Sequence, residues 1–434
     1  MIVTHAIRGE RSAALSENGA DDAPLPRAVR GAADPNFVCA VRAFAQLFPW
    51  RRLGGGALSV YLDGQPVVDV WSGWADRRGR RHWSADTGTM VFSATKGMAS
   101  TVIHRLVDRG LIDYDAPVAE YWAAFGANGK AGITVRDLMR HRAGLSQLQG
   151  VSKADLLDHL LMEDRMAAAA MGLLKGRPAY HALTYGWLMS GLARSVTGRG
   201  MRELFRTELA APLNTDGFHL GRPPVSAPTQ PAQIIGPQLG IPNPIFNAVA
   251  PHVAALPVSG IFGSMYFPGM KATVQGDIPL LDGELPAANG VATARALARM
   301  YGAIANGGVI DGTQFLSAET VAGLTGRPSY YLDGNMGMPM SFHLGYHSVP
   351  LGGVLPGFGH VGLGGSLGWA DPERGLSFGF VHNRLLTPLV VADQAGFVAT
   401  AALIRRGAAA ARKHGFAPVT EFGAPFAERS TAAV

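Results

Sequence analysis

The order in which strand and helix patterns follow each other along the chain limits its fold more than any other feature. Apolar and β-branched residues between turn signals predict strands near both ends of the chain, at 57–62, 65–71, 365–370 and 376–382. Apolar residues at helical spacing predict helices at 36–48, 93–108, 154–162, 184–196, 201–209, 292–306 and 390–413. This order predicts an α+β fold, in which an antiparallel sheet is flanked by helices and an all-helical subdomain is inserted between its two halves.

We divide the chain accordingly into a polar leader and a single domain. At 434 residues the chain is long for one domain, but an inserted subdomain accounts for that length. The leader covers residues 1–35 and the domain covers 36–434. Within the domain, the α/β part is expected at about 36–132 and 284–434, and the helical subdomain at about 133–283.

The charge and the cysteine content exclude several classes of function. A net charge of +6, from 38 basic and 32 acidic residues spread along the chain, does not indicate a nucleic-acid partner. The single cysteine, Cys39, excludes an intrachain disulfide and lies in an apolar helical pattern that predicts a core position. The first 35 residues hold no apolar segment of signal-peptide length, and no apolar run of about 18 residues occurs. We therefore expect a cytoplasmic protein without a transmembrane helix, and we leave envelope association and peripheral membrane contact open.

Residues 223–270 form a segment of unusual composition. These 48 residues contain no Asp, Glu, Lys or Arg and are rich in proline and glycine. Proline breaks helices and removes backbone donors, which argues against a membrane span. Two interpretations stay open: an irregular buried wrap around the helical subdomain, or an apolar wall or lid beside a binding site.

A candidate nucleophile lies at the start of the helix predicted at 93–108. Ser93 and Lys96 are three residues apart in the sequence Ser93-Ala94-Thr95-Lys96, so a helix places their side chains on one face. At a helix N-terminus, the free N–H groups and the positive end of the helix dipole favour a developing oxyanion. Four letters are weak evidence on their own, and a polar first turn with a solvated lysine is the alternative.

Acyl transfer needs more than a serine and a lysine: a proton donor for the leaving group and a second oxyanion donor. Tyr180 lies between a Gly-Arg-Pro turn and a predicted helix, and His360 lies in a glycine-rich segment that enters a strand. Tyr180 and Lys96 could share one proton if the site lowers the pKa of both side chains. Each of the two new candidates also has a structural interpretation, as a core tyrosine or a satisfied loop histidine.

The order SxxK at 93–96, Tyr-x-x at 180–182 and His-x-Gly at 360–362 resembles the serine β-lactamase and penicillin-binding-protein superfamily. Within it, the chain is similar to the class C β-lactamase-like esterases, often called family VIII carboxylesterases, over about residues 54–384. Further segments match in order and spacing, at 133–138, 141–145, 287–290 and 364–372.

This resemblance implies a β-lactamase/DD-peptidase-like fold and a set of site residues. Ser93 would be the nucleophile, and Lys96 and Tyr180 the acid/base pair. The backbone N–H groups of Ser93 and Leu363 would form the oxyanion hole. The resemblance also implies substrate-binding positions, which are His360, Gly362, Ala182 and Gly364.

Two positions depart from the members that recognise penicillin. Ala182 stands where those proteins have the asparagine of Tyr-x-Asn, so the side-chain amide that would bind a β-lactam is missing. His360-Val361-Gly362 stands where they have Lys-Thr-Gly, and a mostly neutral histidine binds a carboxylate poorly. Both departures argue against β-lactamase and cell-wall peptidase activity.

A competing motif and a histidine pair also have to be weighed. Gly364-Gly365-Ser366-Leu367-Gly368 satisfies GxSxG, the nucleophile elbow of α/β-hydrolases, but that fold needs an acid, a histidine and several strand–helix units after the serine. We expect Ser366 to lie on a glycine-rich strand near the oxyanion hole. His343 and His347 have metal-ligand spacing without the acid of HExxH, so we predict neither a metal nor another cofactor.

The sequence therefore favours a serine hydrolase that cleaves carboxylic esters of short to medium acyl chains through an acyl-enzyme on Ser93. The uncharged segment 223–270 points to a lipophilic small-molecule ester as the substrate. Three alternatives stay open: an acyltransferase that uses the same site, residual β-lactamase or D-alanyl peptidase activity, and a catalytically inactive binding protein.

Overall fold

The computed structural model describes residues 25–49, 54–148, 150–152, 154–236, 243–256, 259–267, 270, 280–351, 353–385 and 391–427. Its strands are β1 (Arg30–Ala33), β2 (Gly55–Leu62), β3 (Gln65–Gly73), β4 (Thr87–Met90), β5 (Phe218–Leu220), β6 (Gln230–Pro231), β7 (Gly290–Ala292), β8 (Val309–Ile310), β9 (Thr313–Gln314), β10 (Tyr331–Leu332), β11 (Pro339–His343), β12 (Tyr346–Ser348), β13 (Phe358–Val361), β14 (Leu367–Asp371) and β15 (Leu376–His382). Its α-helices are α1 (Val38–Gln46), α2 (Ala94–Asp108), α3 (Val118–Tyr121), α4 (Val135–Met139), α5 (His159–Ala168), α6 (Thr184–Thr197), α7 (Met201–Leu204), α8 (Asn243–Ala254), α9 (Gly260–Met265), α10 (Ala294–Ala305), α11 (Ala318–Leu324) and α12 (Val391–His414).

The larger sheet is antiparallel and joins the two ends of the chain. Its strands run in the order β1-β3-β2-β15-β14-β13-β12-β11-β10 among the described residues. The hairpin of β2 and β3 turns at Asp63 and Gly64, whose φ values of 51° and 76° are those that the Asp-Gly pair predicted. β15 pairs with β2 from Leu376 opposite Leu62 to His382 opposite Gly56, so the sheet closes around the inserted segment.

Both faces of this sheet are apolar, and each face is covered by helices. Leu58 of β2 belongs to a buried cluster that includes residues of α1 and α12. Tyr61 of the same strand belongs to a second cluster, with α10 and the helices of the middle of the chain. Gly379 allows α10 to approach the sheet closely, because a Cβ atom there would lie 2.1 Å from the backbone oxygen of Ala294. The result is a sheet between two helical layers.

Helix α2 lies where the sheet meets the helical part of the chain. The Ser100 hydroxyl is 2.7 Å from the Tyr185 hydroxyl of α6, and the Thr101 hydroxyl is 2.6 Å from the Tyr346 hydroxyl of β12. A small sheet, in the order β5-β7-β4-β6, leads into the N-terminus of α2 through β4. Helix α2 is therefore held by the helical part of the chain on one side and by the large sheet on the other.

This architecture agrees with the α+β fold predicted from the sequence, with differences in detail. The last residues of the expected leader form β1 at the edge of the large sheet, paired with β3, while residues 1–24 lie outside the described residues. The expected helical range 133–283 also holds the short strands β5 and β6, because they complete the small sheet with β4 and β7. The expected helix 201–209 is α7 followed by a π-helical turn, Phe205–Ala210.

Two further expectations change. Cys39 is exposed, because the buried stripe of α1 consists of Ala40, Val41 and Phe44 and Cys39 lies off that stripe. The segment 223–270 is not uniformly irregular, since it forms α8 and α9 within its described part. None of the helices in the described ranges combines the length and the apolar character that crossing a bilayer requires.

Candidate active site

Ser93 occupies the N-cap position of α2, directly after β4, and its side chain makes no capping hydrogen bond. The preceding residue, Phe92, has a φ of 48°. A bulky residue rarely adopts this left-handed conformation, and such outliers cluster at functional sites. The sharp turn at Phe92 leaves the half-buried Ser93 hydroxyl outside the hydrogen-bond ladder of the helix.

Lys96 is completely buried one helical turn further along α2. Its Nζ atom donates to the Ser93 hydroxyl at 3.1 Å and to the backbone oxygen of Ala287 at 2.9 Å. Burial lowers the pKa of Lys96 well below its usual value, because the charged ammonium loses its hydration. The neutral amine that results can accept a proton from the neighbouring hydroxyl. The sequence analysis did not predict the hydrogen bond to Ala287, because a backbone oxygen far along the chain has no sequence signature.

Tyr180 comes from the segment before α6 and faces the same hydroxyl. Its phenol is close enough to the Ser93 hydroxyl to be influenced by it, and its ring centroid lies 5.0 Å from the Lys96 Nζ atom. The structure thus brings together Ser93, Lys96 and Tyr180, the three side chains selected from the sequence. The suggestion that the site lowers both pKa values is wrong for Tyr180, because burial raises the pKa of its phenol. A phenol with a raised pKa keeps its proton at neutral pH and can donate it, whereas an amine with a lowered pKa can accept one.

A buried turn after β10 fixes the backbone of Tyr180. The carboxylate of Asp333 accepts the Tyr180 N–H at 2.8 Å and also the N–H groups of Asn335 and Met336, at 2.9 and 2.8 Å. The Asn335 side-chain amide donates to the Tyr180 backbone oxygen at 3.0 Å. Asp333 and Asn335 were missed by the sequence analysis, because their partner lies about 150 residues away and no local spacing marks the pair.

Substitution Asp333→Asn is expected to lower kcat about tenfold with little change in KM, because an amide in place of the carboxylate must turn its NH2 group toward backbone donors and shift Tyr180. Steady-state kinetics with p-nitrophenyl butyrate and a thermal melt measure the two effects separately. Asp34 is the matched control, since it is another buried carboxylate that accepts backbone N–H groups, those of Asn36 and Ala417. Equal kcat losses in Asp333→Asn and Asp34→Asn would contradict a positioning role.

Two neutral histidines lie behind Tyr180. The ring of His141 is 5.0 Å from the Tyr180 ring, and its Nδ1 atom accepts the N–H of His181 at 3.1 Å. The His181 Nε2 atom in turn accepts the N–H of Leu145 at 3.1 Å. Burial lowers the pKa of both imidazoles, to about 4 for His181. Ala182 follows with its methyl group buried, and it supplies no polar atom to the site.

The segment after β13 passes close to the backbone that leads into Ser93. A Cβ atom on Gly362 would lie 2.1 Å from the backbone oxygen of Val91, so only glycine permits this approach. The N–H groups of Ser93 and Leu363 have no hydrogen-bond acceptor among the described residues. Gly364, with a φ of 88°, turns the chain away immediately afterwards. Two unpaired donors near one hydroxyl have the chemistry that an oxyanion hole needs.

His360 lies on β13, two residues before this approach, and its ring is 6.2 Å from that of Tyr180. The imidazole is buried, and its Nδ1 atom is 3.1 Å from the Val361 backbone oxygen. Burial and then the neighbouring His347 hold the pKa of His360 well below its usual value, so the ring is neutral. A neutral ring at this position does not provide the cation with which a lysine would hold a carboxylate.

Ser366, the serine of the competing GxSxG motif, is buried and held by backbone groups. Its hydroxyl donates to the His382 backbone oxygen at 3.3 Å and accepts the His382 N–H at 3.2 Å. The imidazole of His382 instead contacts the Gly364 oxygen at 2.9 Å. This serine therefore lacks the hydroxyl–imidazole pair of a nucleophile elbow.

His343 and His347 lie on neighbouring strands, β11 and β12, and their rings contact other side chains. No group of three or more His, Cys, Asp or Glu in the described part of the chain is arranged to hold a metal ion.

A small apolar cluster flanks the free N–H groups. It is separate from the two main cores and consists of Met90, Phe92, Ile234, Leu281, Leu363 and Leu385. Phe92 and Leu363, which adjoin the oxyanion donors, are only half-buried. Ile234 comes from the uncharged segment, so part of 223–270 does contribute to an apolar wall beside Ser93.

Comparison with known proteins identifies the family of the chain. A family model described as Beta-lactamase matches residues 41–403. The chain belongs to the β-lactamase family. Within this family it is similar to the esterase/beta-lactamase LipL of Mycobacterium tuberculosis, with 66% identity over 421 residues that are 97% of each protein. The resemblance drawn from the motifs is therefore confirmed.

Two solved structures share the fold of this chain. The crystal structure of a family VIII carboxylesterase is 32% identical, with a TM-score of 0.73, over 86% of this chain and 99% of that chain. A penicillin-binding protein homologue from Caulobacter crescentus is 29% identical, with a TM-score of 0.71 and the same two coverages. The β-lactamase/DD-peptidase-like fold is confirmed, and the chain is a serine hydrolase of this family.

Proposed function

We propose that the protein hydrolyses carboxylic esters of short to medium acyl chains through an acyl-enzyme on Ser93. The observation that carries this proposal is the 3.1 Å hydrogen bond to the Ser93 hydroxyl from a fully buried lysine. Desolvation lowers the pKa of that lysine and so favours the uncharged amine, the form that can accept the Ser93 proton. The names of LipL and of the family VIII carboxylesterase, both esterases, support the same reaction.

Acylation would proceed with neutral Lys96 as the general base. Lys96 takes the Ser93 proton while the Ser93 oxygen attacks the ester carbonyl, and the N–H groups of Ser93 and Leu363 bind the oxyanion. As the tetrahedral intermediate collapses, the leaving alkoxide takes the Tyr180 proton and departs as the alcohol. The proton held by Lys96 then restores the phenol.

Deacylation would use the same groups with water in place of the alcohol. Lys96 removes a proton from the attacking water, the oxyanion forms again, and the bond between the acyl carbon and the Ser93 oxygen breaks. The proton on Lys96 returns to the Ser93 oxygen, which releases the free acid. No step requires a cofactor.

The side chains around Ser93 favour a neutral, lipophilic ester. Half-buried Phe92 and Leu363 offer apolar surface next to the oxyanion donors, and buried Ile234 packs in the same cluster. Ala182 provides no amide, and neutral His360 provides no cation for a carboxylate. The cytoplasmic location expected from the sequence is part of this proposal, and immunoblots of cytosolic and envelope fractions test it.

A second candidate activity is the hydrolysis of β-lactams, which the name of LipL suggests. The same acyl-enzyme would form, but Ala182 and His360 leave the amide and the carboxylate of such a drug without partners. An acyltransferase differs only in that an alcohol replaces water in the second half of the reaction.

The test is a substrate panel on the purified wild-type protein. We expect turnover of p-nitrophenyl esters from acetate to octanoate, with the highest kcat/KM among short and medium chains and nitrocefin turnover at least 100-fold lower. A fluorophosphonate probe should label Ser93, as located by peptide mass spectrometry. Faster nitrocefin turnover would favour the β-lactamase, ester products formed with added alcohols would favour the acyltransferase, and labelling at a residue other than Ser93 would contradict the proposed nucleophile.

A further inference from the structure

An exposed apolar rim surrounds the Tyr180 side of the active site. We define this rim as residues 172–177, 243–256 and 331–338. Of the sixteen large hydrophobic side chains that are exposed in the described part of the chain, nine lie on these three short segments. Leu173 is 91% exposed and Leu332 is 71% exposed. Such a concentration is unusual, because exposed apolar residues are normally scattered.

Segments 172–177 and 331–338 touch each other, and α8 reaches them through α9. The Gly334 N–H donates to the Pro178 oxygen at 2.9 Å, and a Cβ atom on Gly334 would meet the Leu174 side chain at 2.9 Å. The Ile261 N–H donates to the Asn335 oxygen at 2.9 Å, and α9, which contains Ile261, packs against α8. Since Asn335 also bonds to Tyr180, the rim is continuous with the active site.

Helix α8 contributes an apolar face to the rim. Ile245, Val249 and Val253 follow one another at spacings of four residues, which places them on one side of the helix, and Leu256 lies two residues beyond its end. All four are 41–56% exposed, whereas Ala250 on another side of the helix is buried. The helix lies within the uncharged segment 223–270, so no ionic group opposes its transfer into an apolar phase.

The polar part of the rim is basic. Lys175 and Arg177 are exposed, and the Arg142 guanidinium lies 5.7 Å from the Tyr331 ring centroid. The single acid of the rim, Asp333, is buried by its bonds to the Tyr180 turn and presents no negative charge outward. The rim therefore combines apolar side chains with uncompensated positive charge.

We propose that this rim docks on an anionic phospholipid surface. The apolar face of α8 enters the boundary between headgroups and acyl chains, and Lys175 and Arg177 meet the lipid phosphates. Charge complementarity selects this occupant, because a protein partner or a second copy of this basic chain would have to supply the missing acids. The docked rim turns the Tyr180 side of the site toward the bilayer. The role of this docking, which is to bring the site to lipophilic esters, rests on the proposed function.

Vesicle cosedimentation tests the docking apart from the chemistry, because it is performed with Ser93→Ala protein. We expect binding to vesicles of phosphatidylcholine and phosphatidylglycerol in equal amounts, and at least tenfold weaker binding to phosphatidylcholine alone. In that background, Val249→Asp with Val253→Asp should weaken binding to the anionic vesicles at least tenfold. Lys175→Glu with Arg177→Glu should do the same.

Matched controls are Leu111→Asp, at the far end of α2 from Ser93, and Arg78→Glu, an exposed basic residue outside the rim. Both should bind like the Ser93→Ala parent. The rim variants, made with Ser93 intact, should hydrolyse soluble p-nitrophenyl acetate within twofold of the wild-type rate, which would show that they fold.

Failure of the Ser93→Ala protein to bind anionic vesicles would overturn the proposal. So would a dimer, detected by sedimentation velocity, that dissociates when Val249→Asp and Val253→Asp are introduced. If the wild-type protein cleaved no ester while the Ser93→Ala protein still bound anionic vesicles, only the proposed function would be overturned.

Discussion

Substitution Ser93→Ala is expected to reduce p-nitrophenyl ester turnover to the uncatalysed background, a loss of roughly 10⁵-fold or more, as when the nucleophile of a serine hydrolase is removed. The alanine leaves Lys96 with its bond to Ala287 and leaves the N–H group of residue 93 in place. The fold should therefore survive while the covalent step disappears. The measurement is the initial rate with p-nitrophenyl butyrate, together with a thermal melt.

Ser366→Ala is the matched control, because it removes the hydroxyl of the competing GxSxG serine. That hydroxyl bonds only to backbone groups of His382, so its removal should cost about 1–2 kcal/mol of unfolding free energy and leave most of the turnover. Turnover that survives in Ser93→Ala but disappears in Ser366→Ala would refute the assignment of the nucleophile.

Substitution Lys96→Met is expected to lower kcat about 10³-fold, which is the usual contribution of a general base, without a matching loss of stability. Methionine keeps the packed volume but cannot accept the Ser93 proton. Since the pKa of Lys96 is lowered in the folded protein, unfolding takes up a proton at any pH between that lowered value and about 10.4. The contribution of Lys96 to stability is therefore smallest at low pH and grows as pH rises through this window.

Two readouts follow from this difference in protonation. The melting temperature of Lys96→Met relative to wild type should rise as pH falls from about 10 to 6, because only the wild type loses stability by protonating this amine on unfolding. Wild-type kcat/KM should increase with pH through the lowered pKa of Lys96, the pH range in which the amine becomes a free base. Kinetics and melts over this pH range provide both measurements.

Lys130 provides the control for Lys96→Met, because it is also fully buried but lies away from Ser93. Its Nζ atom donates to the backbone oxygens of Ala127 and Ala169. Lys130→Met should lower the melting temperature, since two carbonyl groups lose their donor, and should leave kcat near the wild-type value. If Lys96→Met retained wild-type kcat, the base would have to be another group.

The local part of the site could be predicted from the sequence, and the distant part could not. Ser93 and Lys96 share a helical turn, so their contact follows from spacing alone, and Tyr180 followed from the family pattern. The hydrogen bonds of Asp333 and Asn335 to the Tyr180 backbone are tertiary contacts, and no helical or strand periodicity in the sequence predicts them. The sign of the pKa shift of Tyr180 was likewise beyond the sequence, because it depends on how completely the phenol is buried.

The fold shows the same division. The hairpin at Asp63-Gly64 was predictable because turn chemistry is local, and the order of strands and helices fixed the fold class. The exposure of α8 was not predictable, because an apolar, proline-containing segment suits a buried wall as well as a surface helix. Cys39 was assigned to the core because its neighbours are apolar, although the helix turns it away from them.

Because α2 lies between the sheet and the helical part, the active site is complete only after both parts have folded around it. Ser93 meets Lys96 within α2, but Ala287, Asp333 and Leu363 reach the site from far along the chain. Contacts of such long sequence separation form late, because closing long loops is slow. After dilution from denaturant, esterase activity should therefore recover more slowly than the helical circular dichroism signal. The rate at which activity recovers would then report the rate of the last packing step, in which the two parts come together around α2.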